Sequence, residues 1–388
     1  MNYKLTKVSC YIGYFVQAII INFLPLLFVS MNADYGVSLS RLGALSVITF
    51  AVQLCVDLLS VKFLKNIGFR GGAVLAHFMS ALGLVMLGTL PTVLNNTFLA
   101  VALSVVVYSV GGGLIEVIIS PIIEYLTSKN KAAQMSFLHS FYCWGQLLTV
   151  LITTALFFIF SRGNWRYIAF LWSVVPFINM FLILKAPIIE PTASAAQESD
   201  KRAVKTPFFY VLLLLMLCAG ASEIAVSQWS STFAELGLGL SKSVGDLLGP
   251  CLFALLMGIG RLFYGIYGAK IRIEKIMLFC GIMCLLSYII LSTGVGAPLK
   301  LTAMALCGLS VSVMWPGTIS ITASQFRGSG TAVFALLAAA GDMGCSLGPW
   351  VFGVIADRYS MSGGFMVSAI YPLLIVAIIL FTLRRIKL

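Results

Sequence analysis

At 388 residues the chain is long enough for two or three water-soluble domains, but 60% of it is hydrophobic and only 10% is charged, where soluble domains carry about 25% charged residues. With a mean hydropathy of +1.03, this composition excludes a water-soluble globule. The net charge of +12 comes from Lys and Arg set in the gaps between apolar runs, so they mark cytoplasmic loops and form no basic face for nucleic acid.

A membrane-crossing helix needs about 20 residues, so twelve need roughly 240, close to the apolar inventory of the chain. The first run, 8–29, follows Lys4 and Lys7 in the manner of a signal peptide. It is too long for one and has no small-x-small cleavage site, so it is retained as the first span. Runs follow at 42–61, 72–90, 98–125, 134–160 and 167–184. The segment 188–206 contains PTASAAQESDKR, the one extended polar stretch, and reads as a linker. Six further runs lie at 208–233, 244–266, 275–293, 301–323, 331–356 and 365–383. The expected fold is therefore an all-α membrane protein of twelve transmembrane helices. Its domains would be an N-terminal six-helix bundle at 1–186, a cytoplasmic linker at 187–206 and a C-terminal six-helix bundle at 207–388.

A shift of 204 positions lays each early run on a later one, carrying Leu42 to Asp246, Phe98 to Thr302 and Tyr167 to Tyr371. An even number of spans per repeat makes the halves parallel, related by a pseudo-two-fold axis along the membrane normal, which is a transporter architecture. With the N-terminus inside, about 18 Lys and Arg fall in cytoplasmic segments and about six outside, Lys242 and Lys300 among the latter, so both termini should be cytoplasmic. Nine cysteines are scattered without a CxxC pair. They read as small buried hydrophobes, with no disulfides and no metal site.

Ionisable groups inside a span cost about 2.5–3.5 kcal/mol each on insertion scales, so their default reading is a polar cavity or a buried pair. Glu223 and Asp342 fall near the middles of spans seven and eleven, Glu116 in span four, and Asp57 and Glu124 near helix ends. Glu223 shares a helical face with Ser227 and Ser230, and Gln228 and Trp229 lie on the next rung. His139, Tyr142 and Gln146 form a matching stripe on span five. Gln17 and Asn22 on span one and Trp315 on span ten complete a chamber of amide, hydroxyl and aromatic groups. Such a lining suits a neutral polyhydroxylated ligand, whose C–H faces stack on rings while amides and carboxylates take its hydroxyls. An anionic substrate would need a cation at mid-depth, and none is expected, because Arg261, the one Arg inside a span, lies toward the cytoplasmic end. Large lipophilic cations would use the same acids and rings. A carboxyl withdrawn from water holds its proton more readily, which makes Glu116, Glu223 and Asp342 the expected proton carriers. Asp57 and Arg261 occupy equivalent positions of the two repeats with opposite charge and read as gate or interface charges. His77 reads as structural, and Trp229 and Trp315 serve equally as packing or ligand platforms. The glycines at 111–113, Gly344 and Gly348 read as points of close helix approach.

These stretches resemble the major facilitator superfamily, and within it the fucose, galactose and glucose:proton symporter group with its sodium-glucose relatives. GGGLIEVIISP, 111–121, resembles that group's span-four pattern, placing Glu116 on the family's proton-linked acid with Ser120 in place of Asn. FLHSFYCWGQ, 137–146, is similar to its span-five start. GASEIAVSQWSSTF, 220–233, resembles the sugar-transporter span seven and puts Glu223 and Trp229 on matching positions. GRLFYG, 260–265, resembles the span-eight Gly-Arg motif, while GNWRYIAF and GDMGCSLGP are similar to general facilitator features. Two departures stand out. IINFLPLLF in span one has no acid where fucose symporters carry Asp. VKFLKNIGFR has Lys65 where the superfamily's loop signature carries Asp.

The resemblance implies a secondary active transporter, not an enzyme. HExxH and a Cys-His cluster are missing, and the two His lie 62 positions apart. The expected activity is alternating-access transport of a hexose-like sugar by proton symport, with sodium coupling, uncoupled facilitation and proton-driven export of drugs or hydrophobic metabolites as the other readings. The expected partners are the sugar-like solute, H+ or Na+, and the lipid bilayer. A cofactor, a metal and nucleic acid are not expected. The chain should be a monomer in the cell membrane.

Overall fold

In a computed structural model of the chain, residues 3–126, 131–160, 162–188, 205–267, 272–326 and 331–386 are described. Most of the linker expected at 187–206 lies outside them, as does the Glu124 side chain. The described residues are mostly helical, with no strand among them. Backbone N–H and C=O groups in lipid must be satisfied within their own segment, and apolar runs of this length do so only as helices.

The first run folds as α1, Lys4–Asn22, a tight 3-10 turn at Leu24–Leu27, and α2, Phe28–Tyr35. The break follows from Pro25, which lacks the N–H that would continue the ladder. Gly36, at φ 63°, closes α2 in the left-handed region. Runs two and three are joined in α3, Leu39–Val93, which turns at Gly68, where φ is 68° and ψ 173°. Next come α4, Thr97–Leu126; α5, Lys131–Phe160; and α6, Trp165–Lys185.

The second series begins with α7, Pro207–Thr232, extended by a wide π-helical turn at Phe233–Gly237. A short α8, Lys242–Asp246, passes through another π-helical turn, Leu247–Cys251, into α9, Leu252–Tyr267. Then follow α10, Ile273–Ser292; α11, Ala297–Val311; and α12, Met314–Gln325, the last two being one expected run interrupted just before Pro316. The chain ends with α13, Thr331–Arg358; α14, Met361–Ser368; and α15, Ile370–Ile386. Among the described residues eleven helical stretches are long and apolar enough to cross a membrane. With α13, 28 residues long and interrupted by Asp342, the spans number twelve.

The chain divides into two compact units. One comprises Met1–Arg41 with Ile48–Thr192, the other Leu42–Val47 with Ala193–Leu388. In the first, α1 is the central helix, packed against α4, α5 and α6. In the second, α7 is central and lies against α13 over its longest interface, with α11, α12 and α15 also touching it. Both central helices bury nearly all their later residues, including serines and amides.

Glycine sets the closest crossings. A Cβ on Gly348 would come within 2.7 Å of the Ala221 carbonyl oxygen, and one on Gly344 or Gly220 would run into the backbone across the α7–α13 seam. Gly83 and Gly111 play the same part where α3 meets α4. The end of the α7–α13 pair is filled by aromatic rings: Trp229 stacks on Phe352 at 5.0 Å, Phe352 meets Phe365 at 4.7 Å, and Phe365 meets Phe233 at 4.9 Å. All nine cysteines are thiols, eight of them buried. Cys284 and Cys307 approach to 3.8 Å between sulfurs.

Candidate functional site

In the first unit, α1, α3, α4 and α5 carry a polar lattice inside an otherwise apolar bundle. The Tyr14 and Ser120 hydroxyls hydrogen-bond at 2.8 Å, and the Tyr14 hydroxyl reaches 3.5 Å from His139 Nε2, with the two rings edge to face. Eight residues further along α1, Asn22 Nδ2 donates to Ala18 O at 2.9 Å and to the Tyr142 hydroxyl at 3.4 Å. The expected stripe on α5 therefore meets α1 at His139 and Tyr142. Gln146, one turn on from Tyr142, is buried.

Glu116 is placed by its helix. Gly112, Glu116 and Ser120 follow one another at four-residue steps on α4, so they lie within one narrow arc of its surface. Gly112 faces the ends of Gln17 and Gln53, and Ser120 faces Tyr14. Glu116 lies between them, partly exposed. Asp57 is one turn from Gln53 on α3 and is also partly exposed. Tyr14, Gln53 and Ser120 were not among the expected site residues. The usable signals were Gln53 and Asp57 at i, i+4 in one apolar run, and the proximity of Ser120 to Glu116.

His77 is fully buried, with Nδ1 2.8 Å from Ala73 O and Nε2 2.8 Å from Asn179 Nδ2. The backbone carbonyl requires a proton on Nδ1, which leaves Nε2 to accept from the amide. Asn179 Nδ2 also donates to Ser9 O at 3.0 Å. This ties α3, α6 and α1 together.

In the second unit a cation meets the span-seven acid, although the sequence placed Arg261 toward the cytoplasmic end. Arg261 on α9 places its guanidinium 3.5 Å from Glu223 Oε1 on α7, both side chains largely buried. Arg261, read from sequence as a gate or interface charge, thus has Glu223 as its partner. The pairing arises because two charges entering one low-dielectric bundle are far cheaper together than apart.

The other expected residues of this unit are packed more tightly than an open chamber would allow. Gln228 Oε1 accepts from the Ser46 hydroxyl, Ser46 lying in the Leu42–Val47 segment of the same unit. Trp229 has no exposed surface, and its Nε1 donates to Pro349 O at 2.9 Å, so it packs the aromatic cluster. Ser227 and Asp342 are buried, at 5% and 3% exposure. Trp315, half-buried on α12, lies against Gly341 immediately before Asp342.

Two lysines assigned to outer loops are buried instead. Lys242 Nζ lies 2.5 Å from Asp246 Oδ1 and donates to the Ser231 hydroxyl at 2.7 Å, and Ser231 in turn bonds Asp246. Lys300 donates to Ser362 Oγ at 3.3 Å and lies 5.3 Å from the centre of the Phe233 ring. The sequence carried the Lys242 signal as an i, i+4 cation and acid in KSVGD. Among the described residues no three His, Cys, Asp or Glu side chains are grouped to hold a metal.

The family model described as Major Facilitator Superfamily matches residues 10–341. No curated protein matches the chain. Among solved structures, the chain is similar to a D-xylose-proton symporter at TM-score 0.78 and 16% identity, covering 98% of this chain and 97% of that one. It is similar to a nucleoside transporter at TM-score 0.75 and 14% identity, covering 96% and 98%. The E. coli fucose:proton symporter aligns at TM-score 0.70 and 14% identity over 98% and 99%. At these identities the likeness is one of fold.

Proposed function

The chain belongs to the Major Facilitator Superfamily and is a multi-pass membrane transporter, not an enzyme, and from that premise we propose that it carries a hexose-like sugar by proton symport. The observation that carries this reading is the position of Glu116. A carboxyl is set between an amide pair and a hydroxyl–imidazole pair on one face of α4. Amides, hydroxyls and a partly exposed carboxyl suit a neutral polyhydroxylated solute. Proton-coupled sugar transport is also what the names of two neighbours state of those proteins.

The roles of the acids divide on geometry. Glu116, partly exposed on α4 between Gly112 and Ser120, is the proposed proton carrier. Glu223 must part from Arg261 before it can take up a proton, so its pair is proposed as the charge that rearranges when the carrier reorients. Asp342, buried beside Trp315, is proposed as a secondary coupling acid. Gln17, Asn22, His139, Tyr142 and Gln146 are proposed to contact solute from the first unit. The chain would work as a monomer in the cell membrane, with proton and sugar shifting the balance of inward and outward states by binding one better than the other.

The test is transport by the purified protein in proteoliposomes. Wild type should show sugar counterflow and pH-driven accumulation. Glu116→Gln should keep counterflow and lose accumulation. Accumulation with unchanged pH dependence in Glu116→Gln would remove the coupling assignment. Resistance to dyes on expression without sugar counterflow would replace import by export.

A further inference from the structure

Among the described residues Gln53 is the one side chain with two buried polar atoms lacking any hydrogen-bond partner: both its Oε1 and its Nε2 are shut from solvent and unpaired. The residue has no exposed surface at all. Gln17 Oε1, on α1, is likewise buried and unpaired. These atoms converge. Gln53 Nε2 lies 2.5 Å, and Gln17 Oε1 2.9 Å, from the point where Gly112 would carry a Cβ. Two amides from α1 and α3 therefore meet over a bare stretch of α4 backbone, one turn from Glu116.

Buried polar atoms in native bundles are almost always paired, and an unpaired one is unfavourable wherever no function requires it. From this juxtaposition we infer that Gln53, with Gln17 across Gly112, is a specificity-determining subsite for two adjacent hydroxyls of the transported solute. The inference rests on the sugar reading above and extends it to a named part of the ligand. A hydroxyl both donates and accepts. One can donate to Gln53 Oε1, its neighbour can donate to Gln17 Oε1, and either oxygen can accept from Gln53 Nε2. Exchanging N and O of the Gln53 amide leaves the same complement. A bound cation fits less well, since it would use the oxygens and leave an N–H pointing at positive charge. The vicinal diol is shared by a pyranose and by the ribose of a nucleoside, so both sources enter the test. The bare wall at Gly112 has a role in this arrangement, because a side chain there would occupy the space where the amides end.

The two possible roles of Gln53 have opposite signatures. An amide that held the bundle together would lose stability on replacement by Leu. An amide kept for the ligand is an unsatisfied burden in the empty protein, so Gln53→Leu should raise the thermal midpoint of the ligand-free carrier while weakening the ligand. The experiment uses the full chain in lipid nanodiscs. Binding of D-glucose, D-galactose, L-fucose and D-xylose, of their monodeoxy analogues, and of uridine with its 2′- and 3′-deoxy forms is measured calorimetrically, together with thermal midpoints. Gln53→Leu should bind the best parent ligand about tenfold more weakly. It should bind one particular deoxy analogue as wild type does. Gly112→Ala, which keeps both amides but displaces their ends, should show the same selective loss. A sugar series that responds assigns the diol to a pyranose, and a uridine series that responds assigns it to a ribose. If wild type binds a hydroxylated ligand but Gln53→Leu binds it equally, the subsite is overturned and the transport reading stands. Should Gln53→Leu be destabilised and lose parent and deoxy ligands alike, Gln53 is a strut and the subsite is again overturned. If wild type binds none of the panel, the sugar reading itself fails.

Discussion

The pairing of Glu223 with Arg261 makes one carboxylate and one guanidinium depend on each other inside a bundle that offers little water to either. Removing one partner leaves the other buried with less compensation, which is more damaging than removing both. Glu223→Gln and Arg261→Gln should each lower the thermal midpoint, and the double variant should be less destabilised than the two losses added, with a coupling of about 0.5–3 kcal/mol. Additive losses in that cycle would show that the 3.5 Å approach carries no energy. Glu116 offers a contrast. It reads as an acid of the same rank in sequence, but its neighbours on α4 are a glycine and a serine whose faces meet amides and a tyrosine. The positions of both acids were legible, because a carboxylate interrupting an apolar run is conspicuous. Their partners were not, since Glu223 and Arg261 are 38 residues apart and no local pattern links them.

At the scale of helices, the fold depends on how near two backbones can come. Without a hydrophobic drive between helices in lipid, association comes from packing and hydrogen bonding, and small residues allow it. The α7–α13 seam has glycine on both sides, Gly220 on one and Gly341, Gly344 and Gly348 on the other. Gly344→Ala should lower the thermal midpoint sharply, at a stability cost of about 1–3 kcal/mol or more, because its Cβ would meet the Leu217 carbonyl and backbone cannot yield as a side chain does. Gly163→Ala, with nothing within 4 Å of the added carbon, should fall within about 0.5 kcal/mol of wild type. Equal effects at the two sites would mean that the seam tolerates separation. The breaks inside expected spans were partly legible. Pro25 and Pro316 interrupt hydrogen-bond ladders by chemistry any sequence displays. Of the π-helical turns flanking α8, Leu247–Cys251 contains Pro250, whereas Phe233–Gly237 carries no such mark. They accompany the burial of Lys242 against Asp246 and Ser231, which tertiary packing imposes.

At the scale of the whole molecule, two compact units fit a carrier whose halves work as separate bodies, and the segment 187–206 is the proposed junction. Reporter fusions test the proposed topology. An indicator active only in the cytoplasm should report from both termini, and a reporter active only outside should be silent at both. A split result would overturn the tally of loop cations, which is weakened by the burial of Lys242 and Lys300 inside helices.

Hydropathy is a sum over about twenty consecutive residues, so the sequence by itself determined the membrane setting and the twelve spans, and motif resemblance gave the transporter family. Which charges and amides touch one another depends on crossings between helices far apart along the chain. Only the tertiary structure could decide that Arg261 answers Glu223, that Trp229 is packing, and that Gln53 and Gln17 close over Gly112 with both polar atoms of Gln53 and Oε1 of Gln17 still unpaired.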